Sequence, residues 1–429
     1  MELLKAQRGT VDILPGESER WQAVENVMRE EARIHGFREI RTPVFEDTRL
    51  FRRSVGETTD VVQKEMYTFE DKGGRSLTLK PEGTAGAVRA YLEHGLSNEP
   101  MPVKLYYITP CYRYEKAQAG RQREFHQFGV EIFGSAGPLS DAALIALANS
   151  LFGRLGLKNL KLMINSIGCP DCRAEFTKAL TAYFTEHKDK LCETCLSRLD
   201  RNPMRILDCK NPECAEVAAG APHILDFLCD DCRAHFEGVK AGLDAAGIAF
   251  GIDPTIVRGL DYYTRTVFEF VSGDLGAQST VCGGGRYDGL VQEMGGNSTP
   301  ALGFGLGIER LLLIMEKQGV EFPEPEKCDL YLASVGEAAR KEAFRLACLL
   351  RTSSVAAAFD EAGRSLNAQM KYAGKIGAAF TAVLGDDELS SRKAKIKNMK
   401  TGETKTIDLD NDLAGQFAAL STEAEDLSF

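Results

Sequence analysis

Between Lys104 and Gly134 two strand-like runs, KLYYITPCYRYE and EFHQFGVEIFG, flank a polar loop, KAQAGRQR. Long runs joined by so short a break predict a hairpin, which commits this part of the chain to a sheet. On the second run a period of two places Phe125, Gln127, Gly129, Glu131 and Phe133 on one face and His126, Phe128, Val130 and Ile132 on the other. A buried strand accounts for the second set. It does not account for Gln127 and Glu131, because an amide and a carboxylate on an apolar-looking face both need partners. The loop brings Arg113, Lys116, Arg121 and Arg123 beside Glu115 and Glu124. Guanidinium groups grip phosphate through paired hydrogen bonds and stack on flat rings, and Phe125 follows directly as a wall for a base. The combination suits a nucleotide polyphosphate, although exposed charged loops of many soluble proteins look similar.

Strand and helix patterns fill the rest of the chain. Residues 17–35 read as a helix closed by Gly36, with Val24, Val27, Met28, Ala32 and Ile34 as its apolar stripe. FREIRTPVFE reads as a strand that Pro43 confines to an edge or to a domain or subunit boundary. MYTFEDKGGRSLTLKPEGT predicts a hairpin turning at Gly73 and Gly74, then a helix from Thr84. DAALIALANSLFGRLGL and RAHFEGVKAGLDAAG are helical, KLMINSIG is a strand, and IVRGLDYYTRTVFEFVS reads as two strand pieces around RGLDYY. ALGFGLGIERLLLIME runs from a strand into a buried helix. After the linker EFPEPEK the elements alternate as βαβαβ, which predicts a mainly parallel sheet.

Several function classes are unsupported. GGGR and GFGLG are neither a P-loop nor a dinucleotide fingerprint, so their glycines signal close backbone approach to a ligand or a neighbouring strand. Six scattered histidines show no HExxH spacing, and no Ser-His-Asp or Cys-His pairing stands out. Arg310 starts a buried helix where the dipole opposes a cation, so it needs either a carboxylate or an anionic ligand. Arg258 in RGLDYY is a fixed cation rather than a proton carrier.

At 429 residues and 44% hydrophobic the chain has material for two to four domains. Its net charge of −10 gives no global attraction to nucleic acid, yet residues 327–400 carry +5 and residues 401–429 carry −6. No basic-then-apolar leader and no membrane-length apolar run is evident, so a cytoplasmic location with reduced thiols is expected. Eight of the 12 cysteines fall in four pairs: Cys169 and Cys172, Cys192 and Cys195, Cys209 and Cys214, Cys229 and Cys232. Tetrathiolate zinc fits two such pairs, and metal-free reduced thiols are the alternative; spacing alone does not say which pairs join.

The order of RGTVDILP, FREIRTPVFE, LKPEGT, CYRYEKAQAGRQREFHQFGVEIFG, VRGLDYYTRTVFEF, CGGGRYDGL and ALGFGLGIERLLL closely resembles the bacterial histidyl-tRNA synthetases, from Arg8 to about residue 410. FREIRTPVFE, CYRYE…FHQFGVEIFG and ALGFGLGIER are similar to motifs 1, 2 and 3 of class II synthetases; LKPEGT and RGLDYY are similar to histidine-specific elements. The resemblance implies an α+β fold. An antiparallel catalytic domain with flanking helices would span 1–325, with a helical cysteine-rich insertion at about 169–235. An α/β anticodon-binding domain would follow over 327–420, then an acidic tail over 421–429.

By the same resemblance Glu82 and Thr84 would hold the substrate α-amino group, Glu131 and Tyr263 the imidazole, and Gln127 the amino-acid backbone, with Tyr262 lining the pocket. Arg113 would bind the α-phosphate, Arg310 the γ-phosphate, and Glu115, Arg121 and Phe125 the rest of ATP. Arg113, Arg258 and Gln127 would form the catalytic set, the two arginines flanking the reacting phosphorus. Mg²⁺ would accompany ATP, the partners would be L-histidine and tRNA(His), and motif 1 would join a homodimer; no DNA or membrane partner is implied. Two departures stand out. Ala117 replaces the proline of many relatives, which implies a more mobile empty loop, and the insertion is richer in thiols than usual. A synthetase-like regulatory subunit of histidine biosynthesis is the rival reading, but such relatives usually lose these arginines, RGLDYY and the last domain. A bare nucleotide-binding RNA chaperone would leave Glu131 and Tyr263 without purpose.

Overall fold

The computed structural model describes residues 3–56, 59–207, 209, 211–256, 260–275, 280–324 and 327–426, with backbone alone at 275 and 422–426. Arg258, which the family resemblance makes catalytic, lies outside the described residues, as do Gly259 beside it and the end of the expected acidic tail. The chain divides into two compact units, one up to Pro323 and one from Glu324.

The strands of the first unit are β1 (Arg38–Glu39), β2 (Phe45–Asp47), β3 (Thr68–Glu70), β4 (Ser76–Leu79), β5 (Val103–Tyr112), β6 (Glu124–Phe133), β7 (Leu160–Ser166), β8 (Gly251–Ile252), β9 (Thr264–Ser272), β10 (Thr280–Arg286) and β11 (Ala301–Gly307). Eight of them form one sheet in the order β1-β5-β6-β11-β10-β9-β7-β8, and β2-β4-β3 form a small second sheet. The large sheet is parallel only where β1 meets β5 and β7 meets β8. The expected hairpin is there in full: β5 and β6 pair from Val103 opposite Phe133 to Tyr112 opposite Glu124.

Its helices are α1 (Ser18–Ile34), α2 (Thr48–Val55), α3 (Thr84–Glu93), α4 (Pro138–Arg154), α5 (Pro170–Glu186), α6 (Glu193–Leu199), α7 (Pro212–Ala219), α8 (Asp230–Ala245), α9 (Leu290–Glu293) and α10 (Ile308–Lys317). One face of β6 faces the main core. Phe128, Val130 and Ile132 pack there against Trp21 and Met28 of α1, Leu151 of α4, Val239 of α8 and Leu311 of α10. Burying each such side chain stabilises the fold by roughly 2 kcal/mol. His126 on this face is satisfied structurally, its backbone N–H and ring both meeting Glu309 at 2.9–3.0 Å. The opposite face, with Gln127 and Glu131, is left for other work.

One local reading changes and one open alternative is decided. FREIRTPVFE is not one strand: it splits into β1 at the edge of the large sheet and β2 in the small one, with Pro43 in neither, because proline cannot donate to a ladder. GGGR lies inside β10, between β9 and β11, so its glycines serve neighbouring strands; a Cβ at Gly284 would overlap the Gly303 carbonyl. The arginine of that run is structural. Arg286 is fully buried and paired with Asp141, and it also donates to the Ser135 carbonyl at 2.8 Å.

The second unit contains β12 (Leu330–Ser334), α11 (Glu337–Thr352), β13 (Ala357–Phe359), α12 (Leu366–Lys375), β14 (Phe380–Leu384), α13 (Asp386–Ser391), β15 (Lys393–Asn398), β16 (Thr404–Asp408) and α14 (Leu413–Asp426). The sheet order is β13-β12-β14-β15-β16, parallel across the first three strands. The expected βαβαβ core is joined by an antiparallel hairpin, β15 and β16, that was not anticipated. Ala394, Ile396 and Ile407 turn its apolar face into the core. Helix α14 extends to Asp426, into the stretch expected as a tail.

Candidate active site

The turn Pro81–Thr84, from LKPEGT, is where the expected site residues converge. Glu82 folds back on the start of α3 and accepts from the amides of Thr84 (2.8 Å) and Ala85 (2.7 Å), two of the donors a helix N-terminus leaves open. Burial raises its pKa, and those amide bonds oppose the rise. The Gly83 amide donates to Gln127 Oε1 at 3.1 Å, and Arg113 Nε donates to the Pro81 carbonyl at 2.8 Å. One tight turn thereby links both β6 polar residues' surroundings to the charged loop.

Behind this turn lies a buried polar cluster. Glu131 is fully buried, with Oε1 accepting from the Tyr107 hydroxyl at 2.9 Å and Oε2 from the Tyr287 hydroxyl. Burial pushes its pKa up to about 8; bonds from Tyr287, Thr84 and Tyr107 act against this, and the nearby Glu82 charge adds to it. Tyr262 and Tyr263 are buried with ring centroids 4.7 Å apart, and Tyr262 lies 5.3 Å from the Tyr287 ring. Burial raises the pKa of Tyr107 and Tyr262 well above the usual phenol value, as it raises Glu82 and Glu131, and the Thr84 side chain works against the rise in all four. Glycines make the space. A Cβ at Gly83 or Gly129 would overlap the Tyr107 ring, and one at Gly303, opposite Glu131 in the ladder, would overlap the Glu131 carboxylate.

Beside the cluster stands a ledge of cations. The Arg113 guanidinium sits 5.4 Å above the Phe125 ring. Glu115 forms an ion pair with Arg121 and lies 4.0 Å from Arg113. At the loop tip a Cβ at Gly120 would meet Leu313 at 3.2 Å and the Arg310 backbone at 3.9 Å, so the loop lies against the start of α10. Burial depresses the Arg310 pKa, and the charges of Arg121 and Arg113 depress it further. Arg310 Nη1 donates to the Thr280 carbonyl at 2.6 Å, and the charge of Glu269 acts against the depression. Three guanidinium groups held this close despite mutual repulsion form a surface suited to a polyphosphate.

The structure thus gathers Glu82, Thr84, Gln127, Glu131, Tyr262 and Tyr263 in one cluster, and Arg113, Glu115, Arg121, Phe125 and Arg310 beside it. Sequence reasoning missed Tyr107 and Tyr287. Tyr107 was signalled by Gly129: a long side chain on β5 needs an empty position opposite it in the hairpin. Tyr287 carried no such signal, since it enters from the end of β10. The eight paired cysteines fall into two groups of four elsewhere in this unit, within the segment between β7 and β8.

Comparison with known proteins identifies the family. Residues 9–311 match the family described as histidyl-tRNA synthetase, and residues 329–414 match the anticodon binding domain. A histidine–tRNA ligase from Caldanaerobacter subterraneus is 57% identical, the alignment covering 95% of this chain and 98% of that protein. The crystal structure of apo histidyl-tRNA synthetase from S. aureus superposes with a TM-score of 0.83 at 43% identity, covering 97% of this chain and 100% of that one. A Bacillus halodurans structure described as an ATP phosphoribosyltransferase regulatory subunit/histidyl-tRNA synthetase shares the fold, with a TM-score of 0.65 at 24% identity over 90% of this chain and 100% of that one. The chain belongs to the histidyl-tRNA synthetase family.

Proposed function

We propose that this protein activates L-histidine with ATP, releasing pyrophosphate, and passes the histidyl group to the terminal adenosine of tRNA(His). The observation that carries the reading is the fully buried Glu131, held among tyrosines two residues before the end of β6 and beside the cationic ledge. A neutral imidazole entering this cluster can take the proton that Glu131 retains at neutral pH, leaving a carboxylate–imidazolium pair. Tyr263 and Tyr262 would close the pocket around the ring.

Gln127 already uses its oxygen to accept from Gly83, so its amide N–H groups are free to donate to the histidine carboxylate. Glu82 and Thr84 would receive the α-amino group at the head of α3. A carboxylate oxygen of histidine then attacks the α-phosphorus, and the bond to pyrophosphate breaks. No general base is needed, since the nucleophile is already ionised. Arg113 and Arg258 would stabilise charge building on that phosphorus, with Phe125 walling the adenine, Glu115 and Arg121 positioning the nucleotide, and Arg310 meeting the γ-phosphate. Mg²⁺ bound with ATP would neutralise the β- and γ-phosphates.

The second unit would hold the anticodon stem. Lys393, Lys395 and Lys397 stand exposed on one side of β15, a row spaced for contacts with successive phosphates. A homodimer joined through the FREIRTPVFE segment and a cytoplasmic location complete the proposal. Charging assays test it: the protein should attach histidine to tRNA(His) transcript with ATP, and failure to charge that tRNA under conditions that form the adenylate would refute the transfer step.

A further inference from the structure

We propose that the insertion holds two structural zinc ions, one in Cys169, Cys172, Cys229 and Cys232 and one in Cys192, Cys195, Cys209 and Cys214. The spacing of the four pairs leaves their partners open, and the fold closes the question by nesting them: first with fourth, second with third. In each set the four Sγ atoms lie within 4.8 Å of one another, with Cys169 and Cys172 at 3.5 Å and Cys192 and Cys209 at 3.9 Å. Four sulfurs at about 2.3 Å from a tetrahedral ion stand about 3.8 Å apart, whereas a disulfide brings its sulfurs to about 2.05 Å.

Both sets are prepared for thiolates in the same way. The Cys229 amide donates across its cluster to Cys172 Sγ at 3.1 Å, and the Cys192 amide donates to Cys214 Sγ at 3.1 Å. Cys169, Cys192 and Cys229 occupy the N-cap positions of α5, α6 and α8, and Cys214 lies in the first turn of α7. Four helix N-termini therefore converge on the sulfurs and offset the excess negative charge of a zinc tetrathiolate. The buried thiols Cys172, Cys195, Cys214 and Cys232 belong to the segment's own apolar core. Its helices α6 and α7 have only 7 and 8 residues, and helices that short do not persist without tertiary support. Metal binding displaces the thiol protons to solvent, and the binding energy becomes folding energy.

The outer ion would clasp the neck of the insertion where it meets the proposed histidine pocket. Arg173, next to Cys172, donates to the Tyr263 carbonyl at 3.2 Å, and the Arg265 amide donates to the Gly168 carbonyl at 2.8 Å. The inner ion would hold α6, α7 and the turn between them, from which Asn202 donates to Asp261 at 3.3 Å and Arg198 pairs with Asp60 at 3.4 Å. The clasp's effect on histidine rests on the pocket assignment, but the metal count does not.

Untagged full-length protein, purified without chelator, should contain two zinc ions per chain by elemental analysis. Mercurial modification of its thiols should release two equivalents to a chromogenic chelator. Cys172→Ser and Cys214→Ser should each lower the content to one. Should either variant fail to fold, Co²⁺ titration of zinc-stripped wild type should show tetrahedral thiolate absorption saturating at two equivalents. Folded protein with fewer than two metal ions, iron in place of zinc, or cysteines found as disulfides by mass would overturn the proposal.

Discussion

Replacing Glu131 with glutamine separates what this carboxyl does for histidine from what it costs the fold. In the folded protein its pKa is raised from 4.5 to about 8, so between those values the native state holds a proton that the unfolded chain has released. Stability from this group is therefore full below 4.5, is lost as pH rises, and levels off above 8. Over pH 5 to 7 the loss amounts to about 2.5 kcal/mol, close to 1.36 kcal/mol per unit, and glutamine, which does not ionise, is spared it. The advantage of Glu131→Gln over wild type in denaturant unfolding should grow by about that amount between pH 5 and pH 7. The same change should harm function. A charge-assisted hydrogen bond to the imidazole contributes about 1.5–3 kcal/mol, so the histidine KM in pyrophosphate exchange should rise about 10- to 150-fold while the ATP KM stays put. An unchanged histidine KM, or a stability difference that does not vary with pH, would refute the reasoning.

Histidine KM in the wild type should be lowest between about pH 6.5, where free imidazole titrates, and about 8, because only there do ligand and Glu131 share a single proton. A flat profile across pH 6–9 would show that Glu131 does not meet the ring. Gly303→Ala places a methyl group where the Glu131 carboxylate and the Val130 carbonyl already lie, so it should cost about 2–3 kcal/mol of stability and raise the histidine KM; equal unfolding midpoints would contradict the packing. Arg310→Ala should raise the ATP KM about tenfold and leave the histidine KM unchanged, whereas a histidine effect alone would misplace the ledge. Arg258→Ala should abolish exchange with ATP affinity nearly intact; lost ATP binding with turnover retained would mean the residue has been given the wrong role.

The backbone around the site was largely legible because period-two patterning is local. The two faces of β6 follow from Phe125 to Phe133 alone, and the polar pair on one of them stood out as unexplained. Contacts that close the pocket are not local. Tyr287 reaches Glu131 across 156 positions of sequence, and no pattern in RYDG announces it. Pro43 told correctly of an edge but not of a break, since one missing donor is compatible with either. The hairpin of β15 and β16 follows the alternation of KAKIK, with Lys393, Lys395 and Lys397 exposed and Ala394 and Ile396 buried between them. Cysteine pairing needed three dimensions, as spacing cannot distinguish nested from sequential sets.

The account turns on a cavity that selects imidazole beside a surface that binds ATP. Pyrophosphate exchange into ATP, measured with each of the 20 standard amino acids in turn, tests both halves together. Histidine alone should drive exchange; silence with histidine, or comparable exchange with another amino acid, would contradict it.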